Sequence, residues 1–132
     1  TMKIEDLSSE MMNKMPHYEV TDELLEKVRN AVIHAGDIAV EATKQYLNNH
    51  KDFDPQKGYY GWAHVCTTKV GEVTEALKKL KMAKSYSDGI YYLNIKEYQT
   101  SNLALLEIGA EAASKYLSQE LGQHFFVKSV LD

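Results

Sequence analysis

Residues 22–48 carry the pattern that most restricts what this chain can fold into. Leu25, Val28, Val32, Ala35, Ala39, Ala42 and Tyr46 recur at steps of three and four. That spacing puts them on one stripe of a long α-helix with polar residues around it. Thr21 stands ahead of the stripe as an N-cap, and Asp22 and Glu23 suit the positive end of the helix dipole. The segment "NNHKDFDPQKG" then ends the helix, because Asn, Asp, Pro and Gly favour turns, and gives a loop over 48–58.

The same spacing predicts two more helices. Over 60–83 the apolar side is Trp62, Val65, Cys66, Val70, Val73, Leu77 and Leu80, and the basic tail "KKLKMAK" suits a helix C-terminus. Over 100–121 the stripe is Leu103, Leu106, Ala110, Ala113 and Leu117, with Thr100 or Ser101 as cap and Gly122 after the end. Between them Asp88-Gly89 signals a turn. "IYYLNI" has the composition of a strand, but an isolated strand has nothing to pair with, so a loop is expected there. The tail "HFFVKSVLD" is apolar enough to pack on the body or on a partner. Residues 1–20, with four of the five methionines, read as a loosely ordered arm with one helical turn over 7–14. The expected architecture is all-α: one helical domain over 1–132, a bundle of three long helices with short terminal helices and a Tyr-rich loop, completed by oligomerisation.

Composition narrows the classes of function. The chain has 132 residues, enough for one domain with a hydrophobic core. Its formal net charge is -4, which gives no support to a general duplex nucleic-acid binder. Cys66 is the only cysteine, so no intrachain disulfide forms. No apolar run approaches the roughly 20 residues of a membrane-spanning helix, and the first residues lack a signal peptide's apolar centre. A cytoplasmic protein with no membrane partner is expected. There is no glycine-rich phosphate loop and no Gly-x-Ser-x-Gly elbow.

Four acids are the candidates for chemistry. Glu72 and Glu75 lie three apart, and Glu107 and Glu111 four apart, so each pair shares a helix face. If the two helices pack antiparallel, the four carboxylates converge on one groove, where like charges raise each other's pKa unless a cation offsets them. Magnesium prefers carboxylate oxygen and water, and could hold nucleotide phosphates there. Against this stands the ordinary role of helix glutamates as a solvated face. His64 and Cys66, two apart on a helix, would point apart and make a poor metal site. Nine tyrosines are many for this length, and they suit either a base-stacking pocket or loop packing. Trp62 and the 86–98 loop, with Tyr91 and Tyr92, are the expected pocket wall.

"GWAHVCTTKVGEVTEALKKL" followed by "YQTSNLALLEIGAEAASKYLSQEL" resembles the MazG-like branch of the all-α nucleotide pyrophosphohydrolases, closest to its small phage-type members. Gly71, Glu72 and Ala76 match the Gly-Glu step and the small residue after it, and Glu107, Ala112 and Ala113 match the later helix. The resemblance implies a magnesium-dependent nucleoside triphosphate pyrophosphohydrolase that forms oligomers, with Glu72 and Glu107 catalytic. Two further family acids fall on Thr68 and Lys69, and the later Asp falls on Ala110. Lys69 would then touch phosphate directly, with Glu75 and Glu111 as replacement ligands. The departures motivate a second expectation: a non-catalytic interaction protein, of a phage or mobile-element inhibitor type, that holds a nucleotide-like ligand or a protein target.

Overall fold

A computed structural model of the chain describes residues 18–87 and 89–132. Three helices, α1 (Asp22–Asn49), α2 (Glu72–Lys79) and α3 (Leu103–Leu121), alternate with four strands, β1 (Gly61–Thr68), β2 (Ala83–Ser87), β3 (Ile90–Leu93) and β4 (Phe125–Leu131), in the order α1-β1-α2-β2-β3-α3-β4. The strands form one antiparallel sheet in the order β2-β3-β1-β4. From β1 onward the chain makes two interleaved βαβ units. The unit β1-α2-β2 is split by β3, and the unit β3-α3-β4 is split by β1.

The fold is therefore α+β, and the all-α helical bundle expected from the sequence is overturned. The error lies in 60–83, which is not one helix. Gly61–Thr68 is rich in aromatic and β-branched residues and extends as β1. Gly71 then breaks the chain at φ 145, a conformation closed to residues with a Cβ. A Cβ there would also collide with the Gln123 side-chain oxygen. Only α2 remains of the expected long helix. Residues 90–93 are a strand after all, because β1 and β2 flank them. The apolar tail is β4, paired with β1 from Gly61↔Leu131 to Thr67↔Phe125. The helical turn expected at 7–14 lies outside the described residues.

The outer helices follow their patterns. Thr21 caps α1 by accepting a bond from the Leu24 N–H at 3.1 Å. Gly122 closes α3 at φ 66, its N–H donating to Ser118 O. The α3 cap is Asn102, not Thr100 or Ser101. Asn102 is buried and does more than cap: its oxygen accepts from the Leu105 N–H at 3.1 Å, and its amide donates to Pro55 O and Lys57 O at 3.0 and 2.9 Å. It thus ties the 50–60 loop, and with it the start of β1, to α3.

α1 packs along α3 and touches α2, and α3 lies against β1 and β4. The α1–α3 crossing is close because Gly109 has no side chain: a Cβ there would stand 2.9 Å from Ala39 O. Val28, Ala35, Ala39, Val65, Leu77, Leu106, Leu117 and Phe125 fill the shared core. Each fully buried leucine or valine among them contributes about 1.5–3 kcal/mol. Below α2, Gln123 donates to Thr67 Oγ1 at 2.7 Å and Thr74 Oγ1 at 2.9 Å, satisfying two buried hydroxyls.

Candidate functional site

Residues opposite one another in an antiparallel sheet share a face, and alternate residues take opposite faces. On β1 this sends Ala63, Val65 and Thr67 to the helices and Trp62, His64, Cys66 and Thr68 to the other side. The register carries Tyr92 and Lys84 beside Cys66, Phe126 across from Cys66, and Lys128 across from His64. Tyr86, two residues beyond Lys84, lies on this face as well, its ring against His64 and Tyr92. Trp62 and Thr68 are exposed on it, and His64, Tyr86, Tyr92 and Phe126 are half-buried.

The rings on this open face touch. His64 lies 5.0 Å from Tyr92 and 5.4 Å from Tyr86, and the two tyrosines stand edge to face at 5.9 Å. The Lys128 ammonium sits 5.7 Å from the centre of the Tyr86 ring, within reach of a cation–π contact. Trp62 is 50% exposed, which is unusual for so large an apolar surface. Burial among the rings lowers the His64 pKa, so the imidazole is neutral at pH 7. Burial pushes the Cys66 thiol up, and the Lys128 ammonium offsets this only in part. His64 and Cys66 share a face here, because β1 has a period of two where a helix would have splayed them. The strand residues of the face include two lysines and no carboxylate, in a chain whose net charge is -4.

Beside this face the sheet parts. β3 pairs with β1 only at Cys66–Thr68, so Trp62 to Val65 have a strand partner on the β4 side alone. After Leu93 the chain stays with β2, the Asn94 N–H donating to Met82 O at 2.9 Å, and then crosses to α1. There Lys96 lies against Gly36 and pairs with Asp37 at 3.6 Å. The gap is a cavity of about 160 Å³. Its floor is Ala39 and Thr43 of α1 with Leu106, Gly109 and Ala110 of α3, and its walls are β1 and residues 92–98. Glu97 stands at the rim; it is exposed as a residue, yet desolvation there raises its carboxyl pKa.

Of the residues singled out from the sequence, the structure brings Trp62 and Tyr92 together at this cavity. Tyr91 points to the helix side, where Lys78 lies 5.6 Å from its ring. Lys69 is exposed just past β1, its N–H bonded to Gly89 O at 2.9 Å. Glu72 and Glu75 sit in the first turn of α2, where the dipole favours them, and Glu75 pairs with Lys78 at 3.3 Å. Glu107 accepts a hydrogen bond from Ser129 of β4 at 2.9 Å, and Glu111 is exposed on α3. Among the described residues no group of three or more His, Cys, Asp or Glu side chains is placed to hold a metal ion. Sequence reasoning missed His64, Tyr86 and Lys128 as one cluster. Their signal was the alternation within "WAHVC" and "FFVKSV", which fixes the face once strands are assumed.

Comparison with protein-family models, with curated proteins and with solved structures finds no match to this chain. Among the described residues no helix is long and apolar enough to cross a membrane.

Proposed function

We propose that the open face binds an unpaired nucleobase together with its phosphate, as carried by a nucleotide or a single strand, and that the protein acts by holding this ligand. The observation behind the reading is the set of exposed and half-exposed rings, Trp62, His64, Tyr86 and Tyr92, flanked by Lys84 and Lys128, with no acid on the strand residues of the face and Glu97 at the neighbouring rim. Four-stranded sheets bind unpaired bases by stacking them on aromatic side chains, at about 1–3 kcal/mol per base. The lysines supply the phosphate contacts. A duplex hides its ring faces, so it is not the ligand. A second copy of the same face is a poor occupant, because it would bring four lysines together with only the rim Glu97 of each copy to offset them. The resemblance to nucleotide pyrophosphohydrolases asks for carboxylates converging on magnesium. Here Glu75 and Glu107 are engaged with Lys78 and Ser129 on separate elements, which favours binding over turnover.

Trp62 is the only tryptophan, so its fluorescence reports the site directly. Titration with uridine and adenosine monophosphates and with short single strands should quench it, and duplex of the same length should not. Tyr92→Ala should weaken binding by about 5- to 150-fold, the range of one lost stack. Lys128→Ala should weaken it and reduce the salt slope by about one. Silence with every nucleotide and strand refutes the reading, and binding of an acidic peptide in their place would make the face a protein-docking surface.

A further inference from the structure

The aromatic face explains stacking but not the cavity beside it. Resting on that reading of the face, we propose that the gap between β1 and residues 94–98 is a base-selective pocket that takes a single-ring, pyrimidine-type heterocycle edge-on against the β1 main chain. Three observations converge on it.

The first is size. A cavity of about 160 Å³ matches the cavities of about 150 Å³ that accept a benzene-sized ring. One six-membered ring fits, and a fused purine does not enter fully. Gly109, Ala110 and Ala39 create the space by being small, and Gly109 is also held small by the α1–α3 crossing.

The second is the wall. Between Trp62 and Val65, β1 has no strand on its β3 side, and backbone alternation turns the N–H and C=O groups of Ala63 and Val65 to that edge, while those of Trp62 and His64 turn to β4. Backbone polar groups require partners. A pyrimidine presents alternating ring N–H and C=O groups along one edge, the pattern that a strand edge satisfies.

The third is the rim. Among the described residues no cation pairs with Glu97, and desolvation raises its carboxyl pKa above its usual value. Its carboxylate accepts hydrogen bonds, and a base amino or imino group at the rim donates one. Trp62 and Tyr92 line both the cavity and the open face, so a base entering the gap leaves its phosphate on the lysine side.

The test compares uridine and adenosine monophosphates by calorimetry on the wild-type protein and on Ala110→Leu, which fills the cavity from α3. The wild-type protein should prefer uridine monophosphate by about tenfold, the worth of roughly 1.4 kcal/mol. Ala110→Leu should bring the two ligands level by weakening the uridine ligand alone. Amide chemical shifts of the wild-type protein give a second measurement that needs no variant: uridine monophosphate should move Ala63, Val65 and Ala110, and adenosine monophosphate should not. Equal affinities with no shift at these amides would overturn the pocket while leaving the stacking face in place. No binding of either ligand would overturn both.

Discussion

Asn102 joins three parts of the molecule, and its replacement tests how the site is held. Its side-chain oxygen caps α3, while its amide binds two carbonyls of the 50–60 loop. Around it Tyr60 bridges to Asn102, the Gly61 N–H donates to Ser101 O at 3.2 Å, and the Leu103 N–H donates to Tyr59 O at 2.9 Å. Loss of the cap costs about 1 kcal/mol. Each bond to a loop carbonyl contributes about 1 kcal/mol net, so Asn102→Ala should cost about 3 kcal/mol in all. Asn102→Asp separates the parts, because it keeps the cap acceptor and removes both donors. It should cost about 2 kcal/mol or more, since a carboxylate oxygen then faces two carbonyls. Urea unfolding gives the free energies, and amide hydrogen exchange over 56–62 locates the loss. Both variants should expose those amides, and with them the start of β1 and Trp62. If Asn102→Asp is within about 0.5 kcal/mol of the wild-type protein, the loop bonds contribute nothing and the reasoning fails.

Three further outcomes are expected. Leu77 is fully buried in the core beneath α2, so Leu77→Ala should lower stability by about 2–5 kcal/mol with an unchanged denaturant slope; a cost under about 1 kcal/mol would mean that the site collapses around the loss. Gly71→Ala should cost about 3 kcal/mol from backbone strain alone, and a neutral result in chemical denaturation would refute the positive φ. His64 takes a proton less readily when folded than when unfolded, so it has no effect above the ordinary histidine range and lowers stability as pH falls below it. Between pH 7.5 and 5.5 the wild-type protein should therefore lose more stability than His64→Gln, and an equal or smaller loss would contradict the burial of that ring.

The two long helices are legible in the sequence because their stripes persist over many turns, and Thr21 and Gly122 mark their limits. Gly61–Thr68 is not, because Trp62, Val65 and Cys66 fit a helical step while Ala63, Val65 and Thr67 fit a strand step. Over eight residues the two periods cannot be told apart. That one misreading removed the rest of the sheet. "IYYL" has no visible partner in the sequence, because the segment it pairs with reads as helix. The cluster of His64, Tyr86, Tyr92 and Lys128 is legible only with a register, since its members come from four strands. Trp62 and Tyr92 were visible alone, as large rings flanking the expected pocket.

The sheet order bears on how the chain reaches this structure. β1 is the first strand made and one of the two inner ones, yet both strands beside it come later, and Thr67 waits for His124 across 57 residues. α1 likewise finds α3 only after the whole middle of the chain has passed. Contacts this distant close slowly, because loop entropy opposes them before they stabilise anything. Until β4 arrives, β1 exposes an aromatic, β-branched edge that invites pairing with other chains. Refolding at high concentration should therefore favour aggregation over return to the native state, and a peptide with the sequence of β4 should compete for that edge.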